Sequence, residues 1–172
     1  MKNKIAPTGQ ERKMRDDDFI VSKTDTTGRL TYANSIFYEF ACYKEQQALG
    51  QQHNLIRHPD MPRSVFKMLW DTISSGQEFN GYVKNLSSDG GFYWVFANVT
   101  PSYDQQNNII GYYSVRRKPS VDAINVISPI YQDMLAAEKK AGSRDAISVG
   151  SALLISKLQQ AGVEYEKFVL SI

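Results

Sequence analysis

The stretch from position 79 to 117 constrains the fold most. It carries three runs rich in β-branched and aromatic residues, at 79–86, 92–102 and 109–117, separated by the turn signals "SSDGG" and "DQQNN". Breaks this short let successive strands run only antiparallel, because a parallel pair needs a crossover of a dozen or more residues. Within "FYWVFANVTPS", alternation sends Tyr93, Val95, Ala97 and Val99 to one face and Phe92, Trp94, Phe96 and Asn98 to the other. Both faces are therefore largely apolar. Each needs a cover: helices on one side, and on the other a terminal segment of the same chain, a second subunit or a signalling partner.

Upstream, "DFIVSKTDTTGRLTYAN" gives a strand near 19–23, a turn at 25–28 and a second strand around 29–33. Asn34 is a good N-cap, and Ile36, Phe37, Phe40 and Ala41 follow at helical spacing; "KEQQALG" adds a short turn closed by Gly50. Over 63–75, Val65, Phe66, Leu69, Trp70 and Ile73 form the stripe of an amphipathic helix ending at Gly76. Two strands, helices, then three strands predict an α+β domain over 18–118 with a five-stranded antiparallel sheet, after a flexible polar lead-in at 1–17. A helical extension at 119–172 follows. In it Ser128 and Pro129 read as N-cap and first helical residue, with Gly142 as the stop. Leu154, Leu158, Ala161, Tyr165, Phe168 and Ile172 then make a heptad-like seam, weakened by Gly162, which favours pairing with a second copy and hence a homodimer.

Twenty basic and 18 acidic residues leave a net charge of +2 with no basic face, so no nucleic-acid partner is expected. The single cysteine, Cys42, excludes an intrachain disulfide and reads as a small buried side chain. No run approaches the roughly 18 apolar residues of a membrane span, and the N-terminus has no apolar signal segment, so a cytoplasmic location is expected. GxSxG, HExxH and phosphate-cradling glycine motifs are absent, and His53 and His58 are five apart rather than four; enzymatic chemistry and a metal site are not expected.

The densest chemistry lies in "NLIRHPDMPRSVFKMLW". Pro59 and Pro62 push their preceding residues out of the helical region, so Arg57, His58 and Asp60 stand on a stiff extended loop. Groups ordered in advance lose less entropy on binding. Arg57 suits a carbonyl, phosphate or carboxylate, while Asp60 suits either a ligand or its two basic neighbours; a plain helix-entry loop with an internal Arg–Asp pair accounts for the same residues.

The opening "TDTTGRLTYANSIFYEFACYKEQQALGQ" and the element order resemble a PAS domain over 18–118. More narrowly, "HNLIRHPDMPRSVFKMLW", "GYVKNLSSDGGFYWVFANVTP" and "GYYSVRRKP" resemble the sensory PAS domain of bacterial aerotaxis receptors, which bind FAD and report its redox state to the chemotaxis machinery. The resemblance implies a non-enzymatic redox or oxygen sensor holding FAD without a covalent bond. It implies Arg57, His58 and Asp60 as cofactor-holding residues, Asn85 as a hydrogen-bond partner of the flavin ring, and Trp70 as the matching helix tryptophan. Phe79 stands where the family typically has tryptophan. The receptors continue into membrane and signalling segments, so a chain ending at Ile172 is expected to signal to a partner in trans or through rearrangement of a dimer. A light-driven thiol adduct is not expected, because "LGQQHNLIRH" has no cysteine. A cofactor-free PAS interaction module, or a haem sensor with His58 as axial ligand, are the alternatives.

Overall fold

The computed structural model describes residues 5–172. Five strands, β1 (Ile20–Thr24), β2 (Leu30–Ala33), β3 (Phe79–Leu86), β4 (Phe92–Tyr103) and β5 (Ile109–Arg117), form one antiparallel sheet in the order β2-β1-β5-β4-β3. Between β2 and β3 lie α1 (Ser35–Ala41), α2 (Glu45–Ala48), a 3-10 turn (His53–Ile56) and α3 (Arg63–Ser74); α4 (Val121–Ala161) and α5 (Tyr165–Ser171) close the chain. The α+β class and the five-stranded antiparallel sheet are those read from the sequence. The chain forms two compact units: one comprises the residues through His58 together with Thr72–Lys118, the other Pro59–Asp71 with Pro119–Ile172.

In the first unit, Asn34 ties helix to sheet. Its Oδ1 accepts the Phe37 N–H of α1 at 3.1 Å and the Val21 N–H of β1 at 3.0 Å. Its Nδ2 donates to the Phe19 carbonyl at 2.7 Å, so one short side chain serves as N-cap and strand anchor together. Cys42 is not the buried residue expected: it is partly exposed and closes α1 in the left-handed conformation (φ 56°), because the chain must reverse there.

Cross-strand partners share a face of the sheet. One face carries the rows Asn85–Tyr93, Gly81–Ala97–Arg116–Ile20 and Phe79–Val99–Ser114–Ser22. Helix α1 packs here, with Phe40 5.4 Å from Tyr93 and Phe37 under Arg116. The opposite face holds Tyr82 against Phe96 (5.1 Å), Lys84 over Phe92 and Arg117 over Phe96. Where polarity alone suggests a flexible lead-in, the described residues are fastened to the β3–β4 turn. Thr8 N–H donates to the Gly90 carbonyl (2.8 Å), Arg12 N–H donates to the Phe92 carbonyl (2.7 Å), Arg12 pairs with Asp89, and Met14 is buried. Backbone groups carry most of this attachment, which is why side-chain polarity does not reveal it.

At Gly111 β5 approaches the end of β1 so closely that a Cβ would overlap the Thr24 carbonyl oxygen. Gly111→Ala is expected to destabilise the chain by about 1–3 kcal/mol through overpacking, read as a lower urea midpoint with an unchanged slope.

In the second unit, α4 begins well before Ser128, correcting the expected start. Ser120 is the N-cap, accepting the Ala123 N–H at 2.9 Å, and Pro129 lies inside the helix. Ala123, Ile127, Tyr131 and Met134 are all buried, so one packed stripe runs through Pro129 and outweighs its missing hydrogen bond. The break falls at Gly142 (φ 76°, ψ 173°) as expected. The two halves of α4 fold back on each other: Lys157 pairs with Asp133 at 2.8 Å, and Gly150 lies against Glu138. Leu154 and Leu158 are consequently buried within one chain, and among the described residues past Gly142 the large exposed apolar groups are Val149, Ile155 and Leu170. Among the described residues no helix is long and apolar enough to cross a membrane.

Candidate functional site

The helix-side face of the sheet carries an unusual polar set. Arg116 is 2% exposed, and its guanidinium lies over the Phe37 ring with 5.6 Å from Cζ to the centroid. Its Nη2 donates to Ser22 Oγ, whereas Nε and Nη1 are buried without a hydrogen-bond partner. Among the described residues no acid pairs with it. Burial lowers its pKa to about 10, which leaves it charged at neutral pH. A buried charge so placed is costly unless something else compensates it.

Its neighbours are donors or neutral groups. Ser22 is buried, and its Oγ also lies 3.2 Å from His53 Nε2. Burial, reinforced by the positive charge of Arg116, pushes the His53 imidazole down to about 3, so it stays neutral. Burial raises the pKa of the Tyr93 phenol, keeping its proton, and its hydroxyl is unpartnered. Asn85, 4% exposed, likewise has a buried Nδ2 without a partner. In the middle row, Gly81 and Ala97 beside Arg116 add little side-chain bulk to this face. Among the described residues the face thus holds one positive charge and several groups without a protein acceptor, namely Arg116 Nε and Nη1, Asn85 Nδ2 and the Tyr93 hydroxyl, beside the small residues Gly81 and Ala97. A planar ligand rich in carbonyl and ring-nitrogen acceptors fits this chemistry.

The residues singled out from the sequence separate into groups. Arg57 forms an isolated antiparallel bridge with Asn85, so the loop adds one residue to the edge of β3 and Arg57 shares the face of Asn85 and Tyr93. Phe79 is 2% exposed on the same face, in the row of Ser22. His58 is equally buried, but its side chain turns the other way, with its ring 5.9 Å from that of Phe92. Asp60 and Trp70 belong to the second unit, both exposed, Trp70 on α3. The sequence reading missed Arg116, Ser22 and Tyr93, and saw His53 only as a weak metal candidate. A signal for Arg116 was present, because adjacent arginines at a strand end, Arg116 and Arg117, must face opposite sides of the sheet.

A five-stranded antiparallel sheet with short helices on one face defines a single-sheet α+β module. The family model described as "PAS fold" matches residues 30–116, and the chain belongs to that family. It is 36% identical over 129 residues to the aerotaxis receptor of Escherichia coli (strain K12), a match covering 75% of this chain and 25% of the receptor. It is 32% identical over 101 residues to the nitrogen fixation regulatory protein of Klebsiella pneumoniae, covering 59% of this chain and 20% of that protein. The chain therefore spans a quarter or less of these relatives. In fold it is similar to the light state of the blue-light photoreceptor Aureochrome1 LOV, with a TM-score of 0.55 at 22% identity over 74% of this chain and 94% of that one. Domains of this family typically signal rather than catalyse.

Proposed function

We propose that this chain is a cytoplasmic redox sensor that holds FAD non-covalently against the helix-side face of its sheet and reports the cofactor's state to a chemotaxis-type partner in trans. The observation that carries the reading is the buried Arg116 with two unpartnered N–H groups, beside the unpartnered Asn85 amide and Tyr93 hydroxyl. When bound, the flavin supplies reversible one- and two-electron chemistry. Arg116 would hold a positive charge beside the bound cofactor and would favour negative charge arriving on it. Asn85 and Tyr93 donate hydrogen bonds, and neutral His53 fixes Ser22, which in turn fixes the Arg116 fork. Arg57, on the same face at the edge of β3, suits the diphosphate. Phe79 presents an aromatic wall without an indole N–H. His58 is a positioning residue that anchors the loop against Phe92, and Asp60 and Trp70 keep the roles the family resemblance implies. Homodimerisation through the tail would use Ile155 and Leu170.

The test is the spectrum of the purified, FAD-reconstituted protein, where an absorbance band near 450 nm and FAD released on denaturation are expected. A colourless protein would overturn the reading in favour of a cofactor-free module, and a Soret band in favour of haem. Arg57→Ala, His58→Ala and Asp60→Ala should each weaken flavin binding about 10- to 150-fold while leaving the far-UV circular dichroism unchanged. Full flavin occupancy in all three would remove these residues from the site.

A further inference from the structure

Helix α3 starts at Arg63 directly after Pro62, whose side chain has no acceptor to offer the first N–H groups. The acceptor comes from 75 residues away. Glu138, 5% exposed on α4, accepts the Arg63 N–H at Oε2 (2.9 Å), the Ser64 N–H at Oε1 (3.0 Å) and the Ser64 hydroxyl at Oε1 (2.7 Å). The Arg63 guanidinium meanwhile donates to the Ser143 carbonyl just past the α4 break (3.2 Å). Gly150, on the returning half of α4, comes so close that a Cβ there would lie 2.5 Å from Ser64 Oγ and 2.6 Å from Glu138 Oε1. A buried carboxylate that serves no counter-charge and caps a distant helix is expensive to keep for packing alone.

We propose that Glu138 is a latch that joins the C-terminal helical hairpin to the start of α3, so that movement of the Pro59–Pro62 segment is passed to the hairpin and from there to a signalling partner. The coupling role rests on the flavin reading above, because it takes Asp60, three residues before Arg63, to respond to the cofactor. The latch itself does not rest on that reading. A charged cap on two amides of a helix start lowers their opening, and the same bonds make α3 and α4 move together. Release of the carboxylate uncouples them.

The experiment is amide hydrogen exchange on the full chain, with flavin content measured in the same samples. Glu138→Gln keeps the shape but replaces one acceptor by a donor facing the Arg63 N–H. Exchange at Arg63 and Ser64 is expected to accelerate about 10- to 100-fold. Gly150→Ala should do the same. Its Cβ would displace the Ser64 hydroxyl and the Glu138 carboxylate, so faster exchange confined to Arg63 and Ser64, with the α4 amides around residue 150 as well protected as before, is the signature of the latch, whereas faster exchange spread along α4 marks general overpacking and overturns it. Gly150→Ala keeps the carboxylate and carries the test should Glu138→Gln fail to fold. Unchanged exchange at Arg63 and Ser64 in the variants overturns the latch. In flavin-loaded wild type, reduction with dithionite should alter exchange across residues 133–157, and this response should vanish in Glu138→Gln. An equal response in both overturns the coupling while leaving the flavin reading intact. A protein that holds no flavin overturns the coupling and the flavin reading together, and the exchange at Arg63 and Ser64 then decides the latch alone.

Discussion

Arg116→Met is expected to stabilise the flavin-free protein and to abolish tight flavin binding, two effects of opposite sign from one substitution. In the flavin-free chain the guanidinium is buried with Nε and Nη1 unpaired and, among the described residues, no acid to balance it. Each unsatisfied buried polar group costs about 1–3 kcal/mol, so replacing it by an apolar chain of similar length should raise the melting temperature by about 4–8 °C for a chain of this size. Ser22 Oγ, which loses Arg116 as a donor, keeps His53 as a partner. With flavin present, the same substitution removes the charge-assisted bonds and should weaken binding by about 10- to 150-fold. Thermal melts of flavin-stripped protein and equilibrium titration with FAD measure the two effects. A variant that melts lower than wild type when flavin-free would show that Arg116 is structural and not waiting for a ligand.

The second large effect is a loss of stability in mild acid. The His53 pKa is about 3 in the folded chain and 6.5 unfolded, so between these values the unfolded state binds the additional proton. Stability is thus fully present above about pH 6.5 and falls as pH drops through the window, with a limiting slope of about 1.4 kcal/mol per pH unit. By pH 5 the chain should have lost about 2 kcal/mol. The depressed carboxylates Asp18, Asp25, Asp89 and Asp104 also favour the folded state at neutral pH, but their share is lost only below the ordinary aspartate range, leaving pH 5–6.5 as a clean histidine window. Urea midpoints across this window test the point. His53→Gln should flatten the profile, and an equally steep profile in that variant would assign the acid sensitivity elsewhere.

What could be read from the sequence follows from the range of the forces involved. Period-two alternation and turn chemistry are local, and they located β3 and β5 to the residue and β4 to within one. The cap at Asn34 was legible for the same reason, since its partner lies three residues away. Pro129 misled because the packing stripe from Ala123 to Met134, a tertiary effect, carries α4 through it. The site was half legible. Arg57 and Asn85 stood out through the resemblance, but their pairing across the edge of β3 is non-local. Arg116 and Ser22 are 94 positions apart, and no window of sequence shows that they meet.

That separation has a consequence for how the chain comes into being. The sheet order β2-β1-β5-β4-β3 places the first strand made beside the last. During synthesis β3 and β4 can pair as a hairpin as soon as both have emerged, but β1 and β4 each have an open edge until β5 arrives between them. At about 5–20 residues per second, the aromatic strand around Trp94 waits of the order of seconds with one edge unpaired. Protection of a nascent chain by a holding chaperone would matter most in that interval, and slowed translation just before Ile109 would lengthen it.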